Sequence, residues 1–332
     1  MVNLKALAGL AALGGLIYSA FSDERCGEKA LQTYFNRLHD EIKLHNFDEN
    51  AILREKRNLL VQELSDILPN IPAWRVFGQG SYAIGTGIIP RDGAFDIDVG
   101  LVFSGISRTE FDPTDLKEIV SEALGRPNRT ITIRRPCVTV HYMRDGKEDY
   151  HVDLAVYVED PKSKKLFLAK GKRHSSDELR HWSEQDPEGL LEKIKRRFSG
   201  TEAAQFRRCI RYLKAWKNAR FRNGGAPISI ALTCAAYHWF SPNNNGLFPS
   251  VPNDARALRA LVESMRDRLA TKPEIVLPVT PHSNLLAGMT QKQFDAFFNK
   301  LGDLHDALDN AIKMPINEIE VAYSTLDTQF QY

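Results

Sequence analysis

The stretch that decides the fold is residues 95–103, which read Phe-Asp-Ile-Asp-Val-Gly-Leu-Val-Phe. Successive side chains of a β-strand point to opposite faces, so the apolar odd-numbered positions are predicted to face a core. Asp96 and Asp98 then lie side by side on the other face. Two carboxylates this close repel each other unless a cation lies between or above them.

A second alternating segment carries a third carboxylate. In residues 149–158 the even-numbered positions from 152 onward are Val or Leu, and Asp153 shares the opposite face with His151. The strand before it is joined to this one through Asp145-Gly146, a pair typical of hairpin turns. Three carboxylates can therefore share the polar face of one sheet.

Hard oxygen ligands of this kind suit Mg²⁺ or Mn²⁺. Two ions about 4 Å apart can activate an attacking oxygen and stabilise a leaving one, so we predict two Mg²⁺ ions held by Asp96, Asp98 and Asp153. The alternative is that these acids are solvated residues of an exposed strand. His151 is either a general base or a histidine with an ordinary hydrogen bond, since metal activation makes a separate base optional.

A glycine-rich segment lies upstream, where residues 77–87 read Phe-Gly-Gln-Gly-Ser-Tyr-Ala-Ile-Gly-Thr-Gly. Glycines let the backbone approach phosphate oxygens, and successive amides form an anion cradle. No Gly-Lys-Ser/Thr ends the segment, so it is not a Walker A loop. Gly-Ser pairs are common in turns, but here Asp96 follows Ser81 by 15 residues. Gln79, Gly80 and Ser81 are therefore predicted to bind nucleotide.

The wider pattern predicts an α+β protein. Residues 27–69 have helical periodicity, and a β-rich section runs from 74 to 158, interrupted by one helix at 113–124. Strand signals nearly vanish from about residue 177. Further helices are predicted at 187–199, 201–222, 227–240, 253–270 and 290–312. The predicted parts are an N-terminal segment 1–22, a catalytic core 23–190 whose long first helix braces both lobes, and a helical lobe 191–332.

Composition narrows the class of protein. Of 332 residues, 43% are hydrophobic and 26% charged, as in soluble globular proteins. Forty-four basic residues against 42 acidic ones give a net charge of +2, which argues against a protein that coats nucleic acid through bulk charge. The four cysteines are not close-spaced, so we expect reduced thiols, as in the cytoplasm, and no zinc site.

The N-terminus is ambiguous. Residues 4–21 are apolar apart from Lys5 and rich in Ala and Gly. A membrane-spanning helix needs about 20 apolar residues. Three interpretations stay open: an incidental tail, a membrane anchor and a secretory signal. We expect a cytoplasmic catalytic body for which residues 1–22 are dispensable, with at most peripheral or single-pass membrane contact through residues 4–21.

The order Gly80-Ser81, then Asp96-x-Asp98, then a lone aspartate on a later strand resembles the polymerase-beta-like nucleotidyltransferases. More specifically, the chain resembles the bacterial cyclic-oligonucleotide synthases (CD-NTases) of CBASS anti-phage systems, relatives of animal cyclic GMP-AMP synthase. The segments that carry this resemblance are 79–86, 95–100, 133–140 and 150–157. The resemblance covers about residues 30–290 and implies a nucleotidyltransferase lobe with a mixed β-sheet, a C-terminal helical lobe, and a nucleotide cleft between them.

The resemblance also implies an activity. Such an enzyme joins ATP and other NTPs into a cyclic di- or trinucleotide, releases pyrophosphate, and acts through an effector protein that binds the product. In relatives, a lysine on one helix and a serine on the next bind the donor triphosphate, and the matching positions are Lys214 and Ser229. Spacing alone would equally allow a solvated basic face at Lys214. Asn284, in a late loop, is expected to approach a nucleotide.

Two other functions stay open. A terminal nucleotidyltransferase acting on RNA or protein is disfavoured by the near-neutral charge and the lack of an appended RNA-binding module. No stable nucleic-acid partner is therefore expected. A non-catalytic nucleotide sensor on the same scaffold is disfavoured because all three aspartates are present.

Overall fold

The computed structural model describes most of the chain after the N-terminal segment. The described ranges are 26–44, 48–67, 73–90, 95–127, 129–144, 147–243 and 252–331. The segment 1–22, with its predicted membrane contact at residues 4–21, lies outside them. None of the helices in these ranges combines the length and the apolar character that crossing a membrane requires.

The described residues contain seven strands and ten α-helices. The strands are β1 Trp74–Gly78, β2 Phe95–Phe103, β3 Arg129–Ile133, β4 Val138–Arg144, β5 Lys147–Glu159, β6 Leu166–Lys170 and β7 His181–Gln185. The helices are α1 (26–42), α2 Asp48–Ile67, α3 Gly80–Ile84, α4 Pro113–Ala123, α5 Pro187–Lys195, α6 Gly200–Arg220, α7 Ser229–Trp239, α8 Asp254–Thr271, α9 Gln291–Lys313 and α10 Ile319–Phe330. The predicted α+β class is confirmed.

The strands form one sheet in the order β1-β2-β5-β4-β3, with β6 paired to β5 and β7 to β6. Strands β2 and β5 are parallel, and the other pairs are antiparallel. In the parallel pair, Asp96 is opposite His151 and Asp98 is opposite Asp153. The sheet is therefore mixed, and it brings the two acidic segments side by side.

Burial of the opposite face sets this register. The apolar side chains of β2 and β5 pack with those of α2 and α4, and burying each contributes roughly 1.5–3 kcal/mol. A slip of one residue would carry Asp96 and Asp98 into the core. Core members that are at most 2% exposed include Leu60, Leu64, Ile97, Val99, Leu101, Leu116, Val120, Val152 and Leu154.

The predicted helix over 27–69 is wrong as a single element. Helix α1 ends at residue 42 and α2 begins at Asp48, and between them Lys43 forms an isolated β-bridge with Ile88. A residue in a β-bridge cannot also use its backbone groups inside a continuous helix. Apolar spacing continues on both sides of the break, so periodicity alone did not reveal it.

Three elements were not predicted: β6, β7 and α10. The expectation that strands vanish after residue 177 is wrong for β7, which pairs with β6 along its length. Its residues are mostly polar, because backbone pairing at a sheet edge defines this strand rather than alternating burial. The six helices predicted between residues 113 and 312 are confirmed as α4 to α9.

The chain divides into two compact units. One, the helical unit, contains α1 with Ser199–Glu274 and Leu286–Tyr332. The other, the sheet unit, contains Lys43–Phe198 and Ile275–Leu285. Within the helical unit, the Tyr34 hydroxyl of α1 donates to Asp327 Oδ1 of α10 at 2.8 Å, across 293 residues of sequence. Helix α1 therefore groups with the C-terminal helices, whereas the predicted core of 23–190 included it.

A buried ionic network holds three helices of the helical unit together. Asp254, fully buried at the start of α8, accepts hydrogen bonds from Arg208 of α6 through Nε at 2.6 Å and Nη2 at 2.8 Å. The Tyr212 hydroxyl lies 2.9 Å from the same carboxylate, and Gln32 of α1 accepts from the Asp254 amide. Burial opposes the charge on Arg208, but the bond to Asp254 outweighs it and holds the arginine pKa above its ordinary value.

Asp254→Ala is expected to lower the free energy of unfolding by roughly 3–5 kcal/mol, because Arg208 is left largely buried without its counter-charge. Urea unfolding measures this. The control is Arg196→Ala, which breaks an exposed pair with Glu192 and should cost about 0–1 kcal/mol. A loss in Asp254→Ala no larger than in the control would show that the network does not hold these helices.

Candidate active site

Asp96, Asp98 and Asp153 lie on one face of the sheet, on the adjacent strands β2 and β5. A carboxylate oxygen of Asp96, one of Asp153 and a ring nitrogen of His151 all lie within 4.8 Å of one another. The Asp96 side chain is 50% exposed. The strand pattern thus predicted the shared face correctly, and solvent reaches the acids there.

The donors fit a divalent cation. Carboxylate oxygens are the ligands that Mg²⁺ and Mn²⁺ prefer, and ligands around one such ion at about 2.0–2.2 Å lie roughly 3–4 Å apart. Small side-chain rotations bring the observed donors into that range. A cation would also relieve the repulsion between Asp98 and Asp153, which are directly opposite across the strand pair.

Asp153 is held in place from the neighbouring strand β4. Thr139, its cross-strand partner, is fully buried and donates from Oγ1 to Asp153 Oδ1 at 2.5 Å. The Cys137 thiol lies 3.7 Å from the same hydroxyl. Burial, and then the charge of Asp153, raises the pKa of Cys137 to about 12, so the thiol stays neutral. This role of Thr139 was not predicted from the sequence, where the available signal was a threonine between two valines that are buried in the structure.

A buried lysine fixes the turn that leads into β4. Lys117 of α4 donates from Nζ to the carbonyls of Arg134 at 2.9 Å and Arg135 at 3.1 Å, and also to that of Gly171. Burial lowers the pKa of Lys117 to about 8. Helix α4 therefore anchors the backbone immediately before Cys137.

The glycine-serine segment lies against the second aspartate. Gly80 and Ser81 begin α3 directly after β1, and the Gln79 amide donates to the Asp98 carbonyl at 3.1 Å. Gly80 has a φ of +68°, and a Cβ at this position would overlap the Asp98 carboxylate. Backbone conformation and close approach thus both require glycine at position 80.

Gln79 is oriented by a buried tyrosine. The Tyr157 hydroxyl donates to Gln79 Oε1 at 3.2 Å. Burial, and then the charge of Asp98, holds the pKa of Tyr157 well above its ordinary value, so the phenol stays protonated. Ser81 closes the segment through its carbonyl, which accepts from the Thr86 amide at 2.9 Å.

In the helical unit, Ser229 contacts Lys217, and the prediction that Ser229 and Lys214 bind a triphosphate stays a prediction. Ser229 is the first residue of α7, and its Oγ accepts from Lys217 Nζ at 2.6 Å. Lys214 lies one turn earlier on α6 and is only 5% exposed. Burial lowers the pKa of Lys217. The sequence predicted helix α6. Lys214 and Lys217 lie three positions apart on one side of that helix, so spacing alone does not distinguish them.

Asn284 of the sheet unit joins the two ends of the loop formed by residues 275–284. Its Oδ1 accepts from the Ile275 amide at 3.2 Å, and its backbone bridges to Val276. The prediction that Asn284 approaches a nucleotide stays a prediction.

Comparison with known proteins identifies the domain that carries this site. Residues 74–157 match the family model described as the nucleotidyltransferase domain of DncV-like cyclic GMP-AMP synthases. The match contains the three aspartates and the glycine-serine segment. This segment is therefore a DncV-like nucleotidyltransferase domain. Part of the chain is also similar to a cyclic GMP-AMP synthase of Escherichia albertii, with 26% identity over 204 residues that cover 57% of this chain and 42% of that protein. The similarity thus spans less than half of the curated relative.

Solved structures share the fold of this chain over nearly its whole length. The Bradyrhizobium diazoefficiens CD-NTase CdnG in complex with GTP has a TM-score of 0.68 at 16% identity, covering 90% of this chain and 94% of that one. Escherichia coli MS115-1 CdnC with ATP has a TM-score of 0.63 at 19% identity, covering 90% and 97%. The Vibrio cholerae DncV cyclic AMP-GMP synthase, bound to nonhydrolyzable GTP, has a TM-score of 0.60 at 16% identity, covering 99% and 91%.

Gly80→Ala is expected to displace the Asp98 carboxylate and weaken divalent-metal binding. Left-handed backbone at a non-glycine residue costs roughly 1–2 kcal/mol. Gly224→Ala is the matched control, because Gly224 has a φ of +82° but an added Cβ meets no atom within 4 Å. Urea unfolding and calorimetric Mg²⁺ titration compare the two. Equal losses of stability with unchanged Mg²⁺ binding would contradict the close approach of Gly80 to Asp98.

Proposed function

We propose that the chain joins NTPs into a cyclic di- or trinucleotide with release of pyrophosphate, in a reaction that requires two Mg²⁺ ions held by Asp96, Asp98 and Asp153. The observation that carries this proposal is the parallel pairing of β2 and β5, which sets the three acids on one solvent-open face beside Gly80. The family match over these residues supports it. So do the structural neighbours, which were solved with GTP and ATP.

The residues of the chain have distinct parts in this scheme. Bound metal ions would supply positive charge for the acceptor hydroxyl and for the phosphate oxygens of the transition state. Gly80 lets the backbone come close to a phosphate, and Ser81 offers a hydroxyl donor. Thr139 fixes Asp153, so that its position does not depend on the ligand. The acceptor hydroxyl attacks the α-phosphate as the bond to pyrophosphate breaks, and holding both groups in line is the main contribution of the protein.

The direct test is incubation of the protein with the four NTPs and Mg²⁺, followed by mass identification of the products. We expect cyclic products of two or three nucleotides. Asp98→Ala should lower the rate by at least about a hundredfold, because it removes charge stabilisation of the transition state without touching the core. The control is Asp177→Ala, since this side chain is 91% exposed.

The other outcomes separate the rival functions. Nucleotides added to the end of an RNA or to a protein would indicate a terminal nucleotidyltransferase. NTP binding without turnover would indicate a sensor. Asp98→Ala activity within about tenfold of the parent at saturating Mg²⁺ would exclude the metal assignment, since one lost metal ligand removes several kcal/mol.

We further propose that Lys217 and Ser229 bind the triphosphate of the donor nucleotide. Each charge-assisted hydrogen bond from Lys217 contributes roughly 1.5–3 kcal/mol. Lys217→Ala should therefore raise KM by about tenfold or more with kcat less affected. Steady-state kinetics of Lys217→Ala and Lys214→Ala, both checked for folding, decide between the two lysines. A raised KM in Lys214→Ala alone would assign the triphosphate to the lysine one turn earlier.

The same proposal extends to the role of the product. A cyclic nucleotide made from cytoplasmic NTPs would act by binding an effector protein, and the resemblance to CBASS enzymes suggests a part in anti-phage defence. The support is the family match alone. Co-expression with candidate effectors under phage challenge, using Asp98→Ala as the inactive control, tests this extension.

A further inference from the structure

We propose that His151 is a direct metal ligand, so that the site combines one nitrogen donor with its carboxylates and favours Mn²⁺ over Mg²⁺. The inference rests on the proposed function only in placing a cation at Asp96 and Asp153. It adds a ligand that the aspartate pattern does not contain, and a metal preference that follows from it.

The main support for this inference is the position of the His151 imidazole. His151 is the cross-strand partner of Asp96 and lies two residues before Asp153 on the same face. Its Nε2 is 3.5 Å from Asp96 Oδ1, and both atoms lie within 4.8 Å of an oxygen of Asp153. Ligands that share one ion lie roughly 3–4 Å apart. The observed separation of 3.5 Å lies within that range.

The ring is also held where a ligand would need it. The His151 side chain is 16% exposed, whereas that of Asp96 is 50% exposed. The ring of His141, its cross-strand neighbour on β4, lies 5.8 Å away between centroids at an interplanar angle of 40°. This neighbour limits rotation of His151 away from the acids. The nitrogen donor is therefore presented on a rigid strand rather than on a loop.

The chemistry of the ligands predicts which metal ion a site with this geometry prefers. Mg²⁺ is bound almost entirely through oxygen, and imidazole nitrogen suits the first-row transition ions. A site with two carboxylates and one imidazole therefore gains affinity for Mn²⁺ that it does not gain for Mg²⁺. A histidine that only oriented Asp96 by a hydrogen bond would support both ions alike.

Electron spin-echo envelope modulation on the full-length protein loaded with Mn²⁺ tests direct ligation. We expect ¹⁴N coupling from a bound imidazole. The coupling should disappear in His151→Gln, which keeps a polar side chain of similar length but removes the ring nitrogen. It should persist in His141→Gln, a histidine of the same sheet face and the same cross-strand row that lies outside the cluster. Absence of ¹⁴N coupling in the parent, or its persistence in His151→Gln, overturns the proposal.

Calorimetric titration supplies the second readout. His151→Gln should weaken Mn²⁺ binding by at least about tenfold and change Mg²⁺ binding by less than about threefold, because only the nitrogen ligand is lost. Equal losses for the two ions would make His151 an orienting residue and overturn the proposal. Asp153→Asn should abolish the nitrogen-coupled Mn²⁺ signal; its retention would place the ion elsewhere.

These measurements need no NTP, so the two proposals can fail separately. Nitrogen-coupled Mn²⁺ in a protein that makes no nucleotide product would uphold the ligand and reject the proposed function. Cyclic product without nitrogen coupling would uphold the function and reject His151 as a ligand.

Discussion

Burial of the apolar face of β2 and β5 is the constraint on which the rest of the sheet unit depends, because it holds together carboxylates that repel one another. Asp98 and Asp153 are directly opposite each other, and Asp96 is one step along the same face. The negative charges of these three side chains repel one another and do not favour this arrangement. The opposite face of the same strands brings them together, because its apolar side chains are buried against α2 and α4. The core thus sets the register, and the register determines the distances between the acids.

The surroundings of the acids fix them individually. Thr139 holds Asp153 through a buried hydroxyl, and the Gly80 backbone lies against Asp98 where no larger residue fits. Lys117 does not contact the acids itself; it holds the Arg134 and Arg135 carbonyls at the turn before β4 and the Gly171 carbonyl after β6. Each contact comes from a different element, so the site tolerates little independent movement of any one of them. Catalysis of phosphoryl transfer depends mainly on positions that are fixed in this way before the substrate binds.

Alternation in residues 95–103 and 149–158 was enough to predict the shared acidic face, because a strand has only two faces. All six helices predicted from residue 113 to 312 are present, and four of them, α4, α5, α8 and α9, begin with a side-chain N-cap hydrogen bond. Thr139 was missed because its role appears only when cross-strand register is known. The contact of Lys217 with Ser229 was not predicted, because Lys214 occupies the same helix side one turn away. The break after α1 and the polar edge strand β7 depend on backbone pairing, which leaves little trace in side-chain pattern.

The grouping of α1 with the C-terminal helices has a consequence for synthesis. Tyr34 of α1 meets its partner Asp327 only after 293 further residues. At typical translation speeds of about 5–20 residues per second, that interval is roughly a quarter of a minute to a minute. During it, Phe35 can already pack against Tyr212 of α6, but it lacks Phe330 of α10, its other ring neighbour. The nascent chain therefore carries α1 without its α10 contacts until synthesis is nearly finished.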